Sequence, residues 1–388
     1  MKTNLRNWYL LFAIGLFIWS CQTQVETTEE KPEFTLSALP VSASWPLDNP
    51  YSDEKVELGK LLFFDPILSG NKDVACASCH HPEFGFAESL ELSMGVNAVG
   101  LGSKRRFLAH NDIPFVKRNS QTILNTAFNG IDQNGRQNSD KAPMFWDLRV
   151  ESLEKQALEP IKTLEEMKGR QFESEEILDV VVGRLKQNKV YEDLFSKAFE
   201  GNEKITVDNL GKAIAAYERT LITPNTRFDQ YMNGDRTALS YNEIEGMKAF
   251  VKSGCINCHN GPMLSDFKVH ALGVEDNKKL DFVDDGFEQT FAFRTPTLRN
   301  LRYTFPYMHN GKLETLKSVL EFYEDLSGGK IKNKNISKDQ IDPLVKDLKV
   351  NFKDLSLIEE FLNSLNADHF DKSMPESVPS GLKVGGEI

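Results

Sequence analysis

The apolar positions along this chain are spaced helically wherever they are regular. After Ser52-Asp53, which offer N-cap candidates, Val56, Leu58, Leu61 and Leu62 recur at helical spacing, and Asp65-Pro66 predicts the stop. Ser174 to Asn188 (Ile177, Val180, Val181, Leu185) and Val207 to Leu221 (Leu210, Ile214, Tyr217, Leu221) read as amphipathic helices. Ser240-Tyr-Asn-Glu243 is a capping box that opens a helix carrying Ile244, Met247 and Val251, and Gly254 ends it. From Thr315 to Asp325, Leu316, Val319, Leu320 and Tyr323 fall on one helical face. No long alternating strand pattern appears between these segments, so the expected fold class is all-α.

Two of these helices precede the same short sequence, Cys76-Ala-Ser-Cys79-His80 and Cys255-Ile-Asn-Cys258-His259. C-x-x-C-H is the attachment signal for c-type haem: each thiol forms a thioether to one porphyrin vinyl group, and the adjoining His reaches the iron. Zinc pairs usually lie a few tens of residues apart, whereas these are separated by nearly half the chain, and a thioredoxin-like redox pair needs a βαβ context that neither site has. Two covalently bound haem c groups are therefore expected, with His80 and His259 as proximal iron ligands. Each half reads as helix, haem site and further helices, which is how small cytochrome c domains are built. The expected architecture is two cytochrome c-like haem domains packed against each other. The linker 222–239, with Pro224, Gly234 and Asp235, sets their limits at residues 45–222 and 223–373. The stretch from Gly85 to Pro114 is too long for a passive connection and is expected to wrap the first haem.

Composition adds limits. At 388 residues and 40% hydrophobic content the chain can bury one or two sizeable cores, of which the two haem motifs favour two, and a net charge of −11 argues against nucleic acid. A small basic redox partner could be steered by that field, although a solvated acidic surface is the commoner meaning. Lys2 and Arg6 precede an apolar run from Trp8 to Trp19 that is short for a bilayer span and stops at Ser20-Cys21. Ile18-Trp19-Ser20-Cys21 resembles a lipobox, so residues 1–21 read as a lipoprotein-type signal peptide with Cys21 as the lipidated residue. The expected location is periplasmic, with membrane contact only through that anchor. An ordinary cleaved signal or an uncleaved anchor is the alternative. Residues 22–44, rich in Thr, Glu, Pro and Ser, are expected to be a flexible tether, and 374–388, rich in Pro, Ser and Gly, a disordered tail.

Five further runs stand in order around the two haem sites: Leu58-Gly-Lys-Leu-Leu-Phe-Phe-Asp-Pro66, Arg118-Asn-Ser-Gln-Thr-Ile-Leu-Asn125, Phe145-Trp-Asp-Leu-Arg149, Arg294-Thr-Pro-Thr-Leu-Arg-Asn300 and Pro306-Tyr-Met-His-Asn-Gly311. Together they resemble the bacterial di-haem cytochrome c peroxidase family, including its methylamine-utilisation (MauG) branch, over residues of about 50 to 370. The resemblance implies a peroxidatic haem in the N-terminal domain and an electron-transfer haem in the C-terminal one. It places Tyr323, fourteen residues after His309, where ordinary peroxidases carry Met and the MauG branch carries a Tyr ligand. A phenolate is a hard anionic donor that stabilises ferric iron, and a core Tyr with a bonded hydroxyl is the plainer reading. The family's distal glutamate falls on Glu166, with Gln156 and Pro160 in the same pocket, and the adjacent Glu165 leaves this open by one residue. Trp146 falls between the haems as an electron stepping stone, although packing explains most tryptophans equally well.

The family's interdomain calcium maps to Asn119, Thr304 and Pro306, an oxygen-only set that suits this ion. In several ordinary peroxidases a loop His caps the first haem in the oxidised enzyme. His110 lies in the corresponding loop, but its surroundings match poorly and the MauG branch uses no such residue. Three functions follow as expectations. The first is a peroxidase that takes electrons from a small periplasmic donor, a cytochrome c or cupredoxin, and reduces hydrogen peroxide. The second is a MauG-like oxidase of a protein substrate, and the third a non-catalytic di-haem electron carrier. A homodimer is common in the family.

Overall fold

The computed structural model describes residues 35–388. Among these, seven helices of nine residues or more carry the fold: α1 (Asp53–Phe64), α2 (Ile177–Lys186), α3 (Lys189–Ala198), α4 (Val207–Glu218), α5 (Tyr241–Lys252), α6 (Leu316–Ser327) and α7 (Leu355–Asn363). The sheets among the described residues are three antiparallel pairings of two-residue strands. The chain is all-α, with two cytochrome c-like haem domains packed against each other.

The local signals at the two haem-bearing helices act as the sequence suggests. Ser52 accepts from the Lys55 amide to cap α1, and Asp65 leaves the helix in an extended conformation before Pro66. At α5 the Ser240–Glu243 capping box is formed, and Gly254 turns left-handed at φ 84° directly before Cys255.

Both helices then cross a later helix in the same way. A Cβ on Gly59 would lie 1.9 Å from the Ala213 carbonyl oxygen and 3.0 Å from the Tyr217 Cβ; one on Gly246 would lie 1.9 Å from the Leu357 carbonyl oxygen and 3.0 Å from the Phe361 Cβ. Only glycine permits that approach. Four residues beyond each glycine an aromatic ring meets its counterpart, Phe63 on Tyr217 and Phe250 on Phe361, with ring centroids 5.3 Å apart in both cases. The α1–α4 and α5–α7 pairs are therefore copies of one unit. The crossing also revises the expected inner face of α5. Gly246, Ala249 and Phe250 are buried, whereas Val251 is exposed.

The copies meet at Thr223. Asn125 and Asn300 both adopt the left-handed conformation, at φ 66° and 64°, before a short 3-10 turn. Their side-chain amides donate to the same Thr223 hydroxyl at 2.7 and 2.8 Å. Residues 222–239 are thus part of the packing: Phe228 is fully buried in the second core, and Asp229 forms a buried two-point ion pair with Arg299.

Three expectations change. Residues 35–44 are not a loose tether, because Leu39 is buried beside Phe128 and Met263 and its amide donates to Asp229 at 2.9 Å. Residues 374–388 are not a disordered tail. Ser380 donates to Asp65 at 2.6 Å, Gly385 donates to the Phe64 carbonyl at 2.8 Å, and Ser78, inside the first haem motif, donates to the Gly385 carbonyl at 2.7 Å. Backbone bonds hold this segment, and composition does not register them. The Gly85–Pro114 stretch contributes only Ser93 to the wall of the central cavity and otherwise lies behind it. There Gly95 packs so closely that a Cβ would fall 2.2 Å from the Glu166 carbonyl oxygen.

Candidate haem-binding active site

The two C-x-x-C-H motifs open onto one connected cavity of about 610 Å³. All four motif cysteines are unpaired thiols, and burial pushes Cys76 and Cys255 up to about 12. Each motif His is held in one orientation. His80 Nδ1 lies 3.1 Å from the Phe86 carbonyl and His259 Nδ1 lies 2.9 Å from the Leu264 carbonyl. An Nδ1–H donated to a carbonyl leaves Nε2 as the ring's free lone pair, the arrangement of a metal-ligating histidine. Burial lowers the pKa of both rings and keeps them neutral, as ligation requires.

A buried cation on the cavity wall also fits an anionic occupant. Arg294 bonds only to neutral groups, the Phe145 carbonyl at 2.8 Å and Gln121 at 3.0 Å, and burial depresses its pKa to about 10. No carboxylate of the described residues pairs with it, and haem carboxylates would complete it. Two free thiols in each motif, oriented imidazoles and this arginine together fit two haem c groups.

On the first side the cavity wall brings together Glu165, Glu166, Gln156 and Pro160 with Cys76, Cys79 and His80. Glu166 sits in a π-type turn, Leu164–Lys168, where Lys168 and Gly169 donate to carbonyls five residues back. Such turns occur often at functional sites because they aim a side chain off the regular helical path. Gly95 and Gly70 fix the turn from behind, the Gly70 amide donating to the Met167 carbonyl at 2.8 Å. Glu166 lines the cavity, as does its neighbour Glu165. Burial, with Glu165 and Glu159 nearby, raises its carboxyl to about 7 against the opposing charge of Arg149.

On the second side the distal candidate is different. Tyr323 projects from α6 into the cavity with Leu316, Val319 and Leu320, and packs with Val345 and Leu348 in the cluster around Phe322. Burial pushes its phenol well up. His270 closes the wall behind Cys258. Burial opposes charge on this ring, whereas its bond to Asp266 at 3.0 Å and the neighbouring Cys258 thiol raise its pKa, and Nδ1 lies 2.7 Å from Asp342. From the sequence His270 reads only as structural, propionate-binding or solvated, since neither aspartate is marked by any motif.

Trp146 stands where the halves join. Its indole N–H donates to the Asn119 carbonyl at 3.0 Å, and its own carbonyl accepts from the Arg294 amide at 2.7 Å. Edge-on to it, with ring centroids 6.4 Å apart, is His309, stacked on Phe293 at 3.6 Å. Burial drives His309 down to about 3, so it is neutral. Arg118 bonds Asp284 across the halves at 2.5 and 2.7 Å and Asp147 at 2.7 Å. This ionic clamp was missed at the sequence level, although Arg118 opens a recognised run.

Asn119, Thr304 and Pro306 line the cavity near this junction. The Asn119 side-chain N–H donates to the Leu90 carbonyl at 2.8 Å, which leaves its amide oxygen as the group open to a cation. His110 is not brought to the site. It is exposed, at φ 61°, and does not line the cavity.

The fold and the two attachment motifs define a di-haem c-type protein whose cavity is walled differently beside each motif. The chain belongs to the di-haem cytochrome c peroxidase family, whose sequence profile matches residues 53–237. It is 31% identical over 340 residues to the cytochrome c551 peroxidase of Nitrosomonas europaea, covering 85% of each chain. It is 33% identical over 334 residues to the methylamine utilization protein MauG of Methylorubrum extorquens, covering 83% of this chain and 84% of that one. Among solved structures, a MauG-like protein associated with microbial copper homeostasis shares the fold with a TM-score of 0.66 at 24% identity, covering 88% of this chain and 95% of that one. The diheme peroxidase of Burkholderia thailandensis does so with a TM-score of 0.63 at 20% identity, covering 90% of this chain and 98% of that one. As a family member the protein is an oxidoreductase that binds two haem c groups.

Proposed function

We propose that this protein reduces hydrogen peroxide to water at its first haem site, with electrons delivered to the second by a small redox protein. One observation carries the reading: a cavity-lining Glu166 on a rigid π-type turn, with a carboxyl raised to about 7, beside the first C-x-x-C-H. When bound, the two haems supply electron storage and a Lewis-acidic iron. The chain supplies proton transfer. The Glu166 carboxylate takes the proton from the near oxygen of peroxide and returns one to the far oxygen as the O–O bond breaks, so that peroxide, two electrons and two protons give two waters. Gln156 and Pro160 confine the substrate, and Trp146 bridges the halves for electron passage. Its N–H faces a backbone carbonyl and its imidazole neighbour is held neutral, so electrons can pass without a proton leaving the indole.

The test is Glu166→Gln. Both haems should remain bound, by visible spectrum and mass, while peroxide turnover collapses. Undiminished turnover would sink the assignment.

Tyr323 favours a second reading, a MauG-like oxidation of a partner protein by peroxide. An oxidised aromatic residue in a co-purified partner would support it, and rapid turnover with a reduced cytochrome would count against it. The exposed position of His110 favours a first site that is open without reductive activation. In this reading calcium is held by Asn119, Thr304 and Pro306, and the protein acts outside the cytoplasm, where c-type haem is attached. A Cys21 lipid anchor, which lies outside the described residues, and a homodimer complete the proposal.

A further inference from the structure

The chain's overall charge conceals a basic face over the second haem site. Between residues 330 and 353 there are seven lysines and three aspartates, in a protein of net charge −11. One aspartate of the three, Asp342, is turned inward to His270. The segment that follows is built with two faces. Leu344, Val345 and Leu348 line the haem cavity, and the last two pack in the cluster that contains Tyr323. Lys346 and Lys349 are exposed on its outer side.

This segment lies against the attachment motif. The Lys349 amide donates to the Ser253 carbonyl at 3.0 Å, and a Cβ on Gly254 would meet the Asp347 carbonyl oxygen at 2.9 Å. Successive contacts of Asn242 with Glu360, Gly246 with Leu357 and Ser253 with Lys349 run antiparallel. Residues 349–353 therefore lie alongside the C-terminal end of α5, next to Cys255. There Phe352 is 69% exposed and Val251 42% exposed. Lys252 and Lys353 adjoin them in sequence and are exposed, as are Lys346 and Lys349 on the same segment, whereas Lys330 and Lys332 pair with Asp325.

Exposed apolar side chains among exposed lysines, on a segment that packs against the residues just before Cys255, have the features of an electron-transfer docking site. Its charge fixes the complement. We infer that the electron donor is a small soluble redox protein with an acidic rim around its own exposed edge, and that it docks on Phe352 and Val251 among Lys252, Lys346, Lys349 and Lys353. This rests on the peroxidase reading and reverses the partner charge that the net −11 suggests. Exposed charges act within about a Debye length, roughly 10 Å at 0.1 M salt, so the local face outweighs distant carboxylates at contact.

The test uses the full-length holoprotein and two reduced probes, an acidic and a basic small c-type cytochrome, each oxidised in the presence of peroxide at low and high salt. The acidic probe should react faster at low salt and slow as salt rises. The double variant Lys349→Glu/Lys353→Glu should cut its second-order rate about tenfold or more at low salt, within the range of electrostatic steering. Wild type and variant should converge at high salt. Phe352→Ser should weaken the complex, seen as a raised dissociation constant by NMR titration of the acidic probe, with little change in salt dependence.

A faster reaction with the basic probe, or rates indifferent to the lysine substitutions, would overturn the inference. So would a dimer in sedimentation that Phe352→Ser dissolves, because the face would then belong to a second copy. A small-molecule reductant separates the two levels. Failure to turn over peroxide with it refutes the peroxidase reading, whereas normal turnover with no charge effect refutes the docking face alone.

Discussion

In the first half Gly59 lets α1 close on α4, and in the second Gly246 lets α5 close on α7, with the same 1.9 Å approach and the same ring contact one turn on. Each half then presents a C-x-x-C-H whose histidine gives Nδ1 to a backbone carbonyl. Beyond that shared frame the two walls differ. The first carries Glu166 on a π-type turn braced by Gly95, and the second carries Tyr323 on a regular helix among apolar side chains. A carboxyl that titrates near neutrality suits proton transfer, and a buried phenol suits ligation or packing. The frame sets where haem sits, and the side chains outside the frame set what each haem can do.

The comparison can be broken most directly at Glu166. Glu166→Gln is expected to lower peroxide turnover by about 10²- to 10⁴-fold, the usual worth of a positioned general acid–base group, with both haems retained. Tyr323→Phe should instead alter the spectrum and potential of the second haem alone. If Tyr323→Phe abolished the peroxide reaction in reductant-loaded protein while Glu166→Gln did not, the assignment of the halves would be reversed.

The pH profile sharpens the same point. With its carboxyl at about 7, Glu166 is neutral below that value and cannot accept a proton. The kcat/KM for peroxide should therefore rise about tenfold per pH unit below neutrality and level off above it. Glu166→Gln should abolish that slope, and a slope that persists in the variant would assign it to another group.

The likeness of the halves is tested by stability. Gly59→Val and Gly246→Val each drive side-chain atoms into a facing carbonyl, so each should cost about 3 kcal/mol, the upper end for overpacking. Denaturant midpoints measure this, and a large cost at only one position would end the claim of a repeated unit. The effect at the junction is smaller. Thr223→Val keeps the shape but removes the acceptor shared by Asn125 and Asn300, and should cost about 1–2 kcal/mol as buried amides lose a partner. Thr223→Ser should restore most of it.

Much of the site is legible in the chain because covalent chemistry demands local spacing. Cys76, Cys79 and His80 must lie within about one helical turn to reach a single porphyrin, so their spacing in sequence is their geometry, and the same holds for Cys255, Cys258 and His259. Helix existence was legible for a related reason, since caps such as Ser52 and Ser240 act on backbone groups three residues away. Tyr323 was put on the inner face of its helix by periodicity alone. The inner face of α5 was not readable in that way, because Gly246 buries backbone without contributing an apolar side chain.

What only the tertiary structure decided depends on groups far apart in sequence. The raised carboxyl of Glu166 comes from enclosure, and in sequence it is one of two glutamates in a polar stretch. The clamp of Arg118 on Asp284, the hold of Asp266 and Asp342 on His270, and the seat of residues 374–388 on Asp65 and Ser78 each join positions whose spacing has no fixed relation to the contact. Desolvation and long-range pairing are properties of the folded neighbourhood, and a linear pattern carries only what the backbone makes local. Thus the sequence by itself determined two haem attachment motifs, each with its adjoining histidine, and the helical frame. The packing of the two halves decided how far Glu166 is enclosed, that His110 does not line the cavity, and which lysines of a net-acidic chain are exposed near its second attachment motif.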